Sequence, residues 1–431
     1  MKLIQYIFVI MIFGIITSCK KTEIYKITEA KEYNEYLRLK SNITRDNLNL
    51  RLEFWNKKLK EDSTRIVALG PIAKVYTKLF QTTGEIEYLK KAEQTLKKSV
   101  EIAAIGKENY LLALARNYIS QHMFIEAEKV AERALQIGVN KKQSEMVMFD
   151  IAMELGKYTN AKKYLESFAN QEDYNFLIRL AKWNDYKGNL DATIRNMEKA
   201  KSIAEGSKKG ELMLWSYTNL ADYYGHAGRV KDSYDHYLKA LEIDPANAYA
   251  KKGIAWIIYS YEYNPTEALR IINTITQEYQ SPDYALFKVE IAEYQNNQEA
   301  KEKNLKNYFQ TVTDTRYGDM YNSYNAMIRA EEFNDYDGAL EIAIQEIKNR
   351  PTPQSYGLLA YILNLKGDHK KALGIVESHI IGKTYEPEVY YQIAQIYKTN
   401  QLIDKIAPIK KELLSSSYEL GPLLTNKIQN L

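Results

Sequence analysis

Five histidines are the side chains best suited to metal or acid–base chemistry in this chain: His122, His226, His236, His369 and His379. Their spacing argues against a metal centre. His226/His236 and His369/His379 each place one member in a turn and the other in the helix that follows, and no cysteine stands near them. Nucleophilic catalysis needs a base and an orienting group gathered round a pocket. The runs that announce such sites, a Gly-rich phosphate loop, a Gly-x-Ser-x-Gly elbow or a His-Glu-x-x-His helix, are missing from the sequence. The expectation is a protein that catalyses nothing and needs neither cofactor nor metal.

One residue does stand where covalent chemistry is expected. Lys2 opens the chain with a positive charge, Leu3 to Ile16 form an apolar run broken only by Gln5, Tyr6 and Gly14, and small polar residues follow. This pattern reads as a secretory signal, because the run is shorter than the about 20 residues that a membrane span needs. Cys19, the only cysteine, comes next, and a solitary thiol in an exported chain has no disulfide partner. Ile16-Thr17-Ser18-Cys19 resembles the bacterial lipobox, which implies cleavage after residue 18 and acylation of Cys19. Each buried methylene of an acyl chain contributes about 0.8 kcal/mol, so the several chains on such a cysteine anchor a protein stably to a membrane. Lys20 and Lys21 take the place of the acidic cluster common in surface-displayed lipoproteins, so the anchor is expected to face the periplasm from the outer membrane.

The 59 Lys and Arg residues balance 55 Asp and Glu, a formal charge of +4 that falls to +3 once Lys2 is removed, with both signs interspersed along the chain. A surface of that kind has no phosphate-binding face, and nucleic acid is excluded as the expected partner.

The elements that must position any site are amphipathic helices, since no stretch alternates as a strand and proline is scarce. Leu220-Ala221, Tyr224, Gly228, Tyr237, Ala240-Leu241 and Pro245 keep offsets that recur at Leu359-Ala360, Gly367, Ala372 and Val376, and at Leu114-Ala115, Tyr118, Ala127, Ala131 and Ala134. These offsets resemble those of the tetratricopeptide repeat, a helix–turn–helix unit of about 34 residues. The residue expected to open each second helix can be followed through Ala92, Ala127, Ala161, Thr193, Ser233, Ala268, Ala300, Ala339, Ala372 and Ile406. The fold class is therefore all-α, a right-handed superhelical solenoid of about ten such repeats. Two longer intervals predict loop insertions near Glu205–Gly210 and Thr311–Gly318. Gln81 to Gly84 is expected to lengthen the turn of the first unit, and Lys288 blurs the register of the seventh. Residues 1–18 are assigned to the signal, 19–60 to a lipidated tether and capping helix, 61–415 to the array and 416–431 to a C-terminal cap.

Stacked units expose a concave surface lined by their first helices, and the resemblance implies which positions face it. Carried onto this sequence, those positions are Lys182, Asp185 and Tyr186 in the fourth unit, Trp215 and Asp222 in the fifth, and Tyr249, Lys252, Trp256 and Tyr259 in the sixth. Aromatic anchors of this kind suit extended peptides or helices, and they suit glycan stacking as well. The basic clamp with which related co-chaperones hold a terminal carboxylate is absent, with Ile178, Tyr249 and Gly253 at its positions. The sequence thus predicts a lipid-anchored envelope scaffold for protein partners, with glycan capture beside an outer-membrane transporter as the alternative.

Overall fold

The computed structural model describes residues 26–38, 42–61 and 66–431, and Cys19 with its signal lies outside them. Among the described residues every regular element is helical. Helix α1 (Ala30–Arg38) and α2 (Asn42–Glu61) precede ten helix pairs. The first four pairs are α3 (Ile66–Thr83) with α4 (Ile86–Ile102), α5 (Lys107–Ser120) with α6 (Phe124–Ile137), α7 (Lys141–Glu154) with α8 (Tyr158–Ser167), and α9 (Tyr174–Tyr186) with α10 (Leu190–Ser207). The fifth to seventh are α11 (Gly210–His226) with α12 (Val230–Ile243), α13 (Ala248–Ser260) with α14 (Pro265–Ile275), and α15 (Pro282–Tyr294) with α16 (Gln298–Val312). The last three are α17 (Asn322–Glu332) with α18 (Tyr336–Asn349), α19 (Pro353–Lys366) with α20 (His369–Ile375) and its π-turn Val376–Ile380, and α21 (Pro387–Thr399) with α22 (Ile406–Ser415). A final helix, α23 (Ser417–Gln429), follows.

Local chemistry sets these boundaries. Asp173, Asn189, Asn247, Asn264, Asn297 and Asp335 each accept a backbone N–H from the first turn that follows, which satisfies a donor the helix cannot pair. The turns within pairs use Gly156, Gly188, Gly228 and Gly367, all at positive φ. Each pair is held close because the contact residue is small. Ala92, Ala127, Ala161, Thr193, Ser233, Ala268, Ala339 and Ala372 are wholly shielded from solvent, whereas Ala300 of the seventh pair is only partly covered. The pairs stack into a right-handed superhelix with a core distributed along its length.

The superhelix winds back on itself. The Gln280 N–H donates to Thr83 O at 2.7 Å, Asn349 Nδ2 donates to His122 O at 2.8 Å, and Arg350 pairs with Glu154 at 3.1 Å. The turns of the first pairs therefore rest on the junctions that precede the seventh and ninth, and the Gly188 turn of the fourth pair lies against Tyr385 ahead of the tenth. The expected insertions prove to be structured. The first lengthens α10 through Ser207 and is no loop, and the first pair's extra residues likewise extend α3 to Thr83. The second ends in a 3-10 turn, Thr315–Tyr317, whose Tyr317 packs with Tyr321 against Ile86 and Leu89 of the first pair. Apolar contact with the opposite turn of the superhelix offsets the cost of ordering that segment.

At the amino-terminal end α2 covers the first pair, with Leu48 packed against Val75 and Leu79. The segment before it travels further, to the outer helices of the fifth and sixth pairs. Glu262 Oε1 accepts the N–H groups of Ile27 and Thr28 at 2.7 and 2.6 Å, and Oε2 accepts the Thr28 hydroxyl at 3.0 Å. Tyr33 is buried and donates to Glu267 at 2.7 Å. Hydrogen bonds to a charged acceptor are worth about 1.5–3 kcal/mol each. Glu262→Ala is accordingly expected to lower stability by about 2–3 kcal/mol and to make residues 26–38 the first site of limited proteolysis, which a timed digest with mass spectrometry checks.

Candidate functional site: the inner groove

The first helices of the pairs line the inside of the superhelix, and they carry a concentration of acid, much of it near their carboxyl-terminal ends. Asp185 on α9, Asp222 on α11, Glu290 and Glu293 on α15, Glu331 and Glu332 on α17, and Glu388 on α21 all belong to this surface. Protein surrounds these carboxylates although solvent still reaches several of them, Glu388 among them. Desolvation dominates their ionisation. Burial, with Glu388 and Glu293 adding repulsion, pushes the Glu290 carboxyl up to about 7, against the Tyr259 hydroxyl and Lys427. Asp185 rises to about 6 through burial and the charges of Glu386 and Glu419. Burial also raises Glu331 and Glu388. Glu293 behaves oppositely. Despite burial it is held below the usual range by Lys301, at 2.9 Å, and Lys427, at 3.3 Å.

The sequence-derived residues divide into three groups. Asp222 and Tyr249 meet in the open groove, where the Tyr249 hydroxyl donates to Asp222 Oδ2 at 2.6 Å while its ring stays 52% exposed. Asp222 also accepts the Tyr237 hydroxyl. Asp185 faces the same space from α9, and Trp215, 41% exposed, contacts Tyr174 edge-on. A second group is engaged in structural contacts. Lys182 pairs with Glu154 at 2.8 Å, the Tyr186 ring stacks on Tyr158 at 4.0 Å, and the Lys252 ammonium lies over the Tyr284 ring. Tyr259 is a correction to the expected surface. It is fully buried among Trp256, Phe287 and Tyr294, because α15 packs over the position that faces outward in an isolated pair.

Trp256 is covered too, by a segment not expected there. Helix α23, assigned from sequence to a cap, packs on α22 through Leu420 and Ile428 and presents its other face to α11, α13 and α15. Trp256 Nε1 donates to Tyr418 O at 3.1 Å, the Ser260 hydroxyl donates to the same carbonyl, and Lys427 reaches Glu293. Part of the groove is therefore filled by the chain itself. The open part retains exposed aromatic rings at Tyr249, Tyr324 and Tyr385. Sequence reasoning missed Tyr324, Tyr385, Glu290 and Glu388. The blurred register of the seventh pair hid Glu290, and the others join the site only because the second turn of the superhelix faces the first. No group of three or more His, Cys, Asp or Glu among the described residues has metal-binding geometry, and no described helix is long and apolar enough to cross a membrane.

Comparison with known proteins bears on the fifth pair. Residues 216–247, most of α11 and all of α12, match the family model described as tetratricopeptide repeat. The fifth pair is thus similar to a tetratricopeptide repeat. Solved structures similar to this chain include a tetratricopeptide repeat protein from Parabacteroides merdae, at 17% identity and TM-score 0.38, covering 55% of this chain and 92% of its own. Yeast Tom70 aligns at 14% identity and TM-score 0.40, covering 94% and 100%. The structure from the functional characterization of Pseudomonas aeruginosa pilF aligns at 11% identity and TM-score 0.36, covering 49% and 94%. No curated protein matches the chain.

The inner groove has a pH signature. A carboxyl whose folded pKa stands above its unfolded value adds stability that is complete below the unfolded value and lost as pH climbs through the folded one. The window runs from 4.5 to about 7 for Glu290 and from 3.8 to about 6 for Asp185. Between about pH 7.5 and about pH 5.5 these two carboxyls add stability as the pH falls, while His122 and His236, whose pKa burial lowers, contribute in the opposite direction. Glu290→Gln should raise stability at the higher pH by about 1–2 kcal/mol and flatten the dependence. Thermal melts across this range test the assignment, which parallel curves for the two proteins would contradict.

Proposed function

We propose that this protein is a non-enzymatic scaffold that holds protein partners in the inner groove of its repeat array and is fixed to the cell envelope through a lipid on Cys19. The observation that carries the reading is the open part of the groove, where the exposed rings of Tyr249, Tyr324 and Tyr385 stand among carboxylates. Exposed aromatic rings on a rigid concave wall offer large contact area at small entropic cost, the usual make-up of a binding hot spot. Tyr249 on α13, Tyr324 on α17 and Tyr385 just before α21 spread these rings along several pairs, which suits an extended segment or a helix.

The lipid anchor rests on the lipobox-like sequence before Cys19 and on the signal that precedes it. The outer membrane, with the array in the periplasm, is the location proposed on the same grounds. Two experiments test the separate parts. Cys19→Ser should move the protein from the membrane fraction to the soluble fraction, and continued membrane association would remove the anchor from the proposal. In-cell cross-linking followed by affinity recovery should lose its partners about tenfold in a Tyr249→Ala/Tyr324→Ala variant that remains folded. Undiminished recovery would place the interface outside the groove. Saturable binding of oligosaccharides with no protein partner would replace this reading by glycan capture.

A further inference from the structure

The contact between α23 and the groove is built around one side chain, Tyr418, and one main-chain carbonyl, its own. In an uninterrupted helix that carbonyl would accept the N–H of residue 422, but Pro422 has none, and Gly421 breaks the helix with φ +74°. The freed oxygen points at α13, where Trp256 Nε1 and the Ser260 hydroxyl both donate to it. The phenol enters a notch on α11 that exists because Gly225 has no side chain: a Cβ there would lie 2.4 Å from the Tyr418 ring. The Ser233 hydroxyl, on a fully buried residue of α12, lies beside the phenol oxygen. Two donors for a peptide carbonyl and a slot for a flat ring thus converge on the wall already assigned to binding. The segment seated there packs on the tenth pair through Leu420 and Ile428.

We propose that this notch is a docking site for a tyrosine-bearing peptide segment of a partner, and that Tyr418 is an internal ligand which keeps it closed until displaced. The proposal rests on the reading of the groove as a protein-binding surface. The recognition is specific in chemistry: the ring must be flat, as the phenol held beside Ser233 is, and its residue must offer a carbonyl free of helical pairing. An extended peptide, or a helix broken by proline four residues on, meets that condition. In its absence Tyr418 satisfies Trp256 and Ser260, so neither donor is left buried without a partner.

The test uses the full chain and a labelled synthetic peptide of residues 416–431. The Tyr418→Ala variant should bind the peptide at least about tenfold more tightly than the wild type, whose own segment competes at high effective concentration. Adding Gly225→Ala should abolish that gain, because the new methyl group occupies the slot. Equal binding by wild type and Tyr418→Ala, or a gain that survives Gly225→Ala, overturns the proposal. If Tyr418→Ala unfolds the tenth pair, Gly225→Ala alone gives the second reading. Alanine is at least as favourable as glycine within a helix, so α11 persists while Tyr418 is expelled. Hydrogen exchange over residues 417–429 should then quicken at least about tenfold with the first nine pairs unchanged, and unaltered exchange overturns the proposal. Partner recovery that is lost with Tyr249→Ala/Tyr324→Ala yet indifferent to both notch variants would sink the notch and leave the groove's function standing.

Discussion

The close approach of two helices within each pair is the constraint on which the rest of this molecule depends. It is possible only where the contacting residue is small, and alanine, serine or threonine meets that demand in eight of the ten second helices at positions wholly shielded from solvent. Side chains of one size at one offset give every pair a similar crossing geometry, and repetition of that geometry turns a local packing rule into a regular superhelix. The pitch that results lets the turns of the early pairs land on the junctions of the late ones. Gly188 shows the consequence most clearly. Its φ of +70° meets the need of a turn, and its missing side chain also leaves room for the Tyr385 ring, which would lie 2.6 Å from a Cβ. One residue answers to a local rule and to a contact almost two hundred positions away.

That double demand explains what the sequence reveals and what it conceals. The ten pairs are legible because each second helix opens with a residue chosen by a contact inside its own pair, and the family match over residues 216–247 falls on one of them. Turn glycines are legible for the same reason. The insertions are not, since polar residues near Glu205 and Thr311 suit the end of a long helix as well as a loop. Tyr259 has the periodicity of a groove residue and is core, because its burial depends on how closely the following pair leans over it. The meeting of the two superhelical turns, which brings Tyr385 and Glu388 to the groove, is set by a rotation accumulated over many pairs. No local pattern encodes that sum. The placement of α23 is concealed for a further reason. Its apolar residues, Leu420 and Ile428, describe an ordinary cap on the last pair, and the groove contact is made by a tyrosine, a glycine and a lysine that carry no periodic signal.

The electrostatics of the groove run against the preferences of the helices that line it. A helix ends with unpaired carbonyls and a partial negative charge, so acidic residues in the last turn work against its stability and basic ones support it. Asp185, Glu293, Glu331 and Glu332 nevertheless occupy last turns of inner helices, on a chain whose overall formal charge is +4. Lys301 compensates Glu293 and Glu332. Asp185 and Glu331 are left with carboxyls displaced upward by burial, and Glu290, a turn further back, fares the same. Packing does not require them, since glutamine or asparagine would fill the same volume without the cost of a desolvated charge. Residues that oppose both the helix dipole and their own solvation, gathered on one concave wall beside exposed tyrosines, are local violations of folding preference of the kind that mark functional or strained sites.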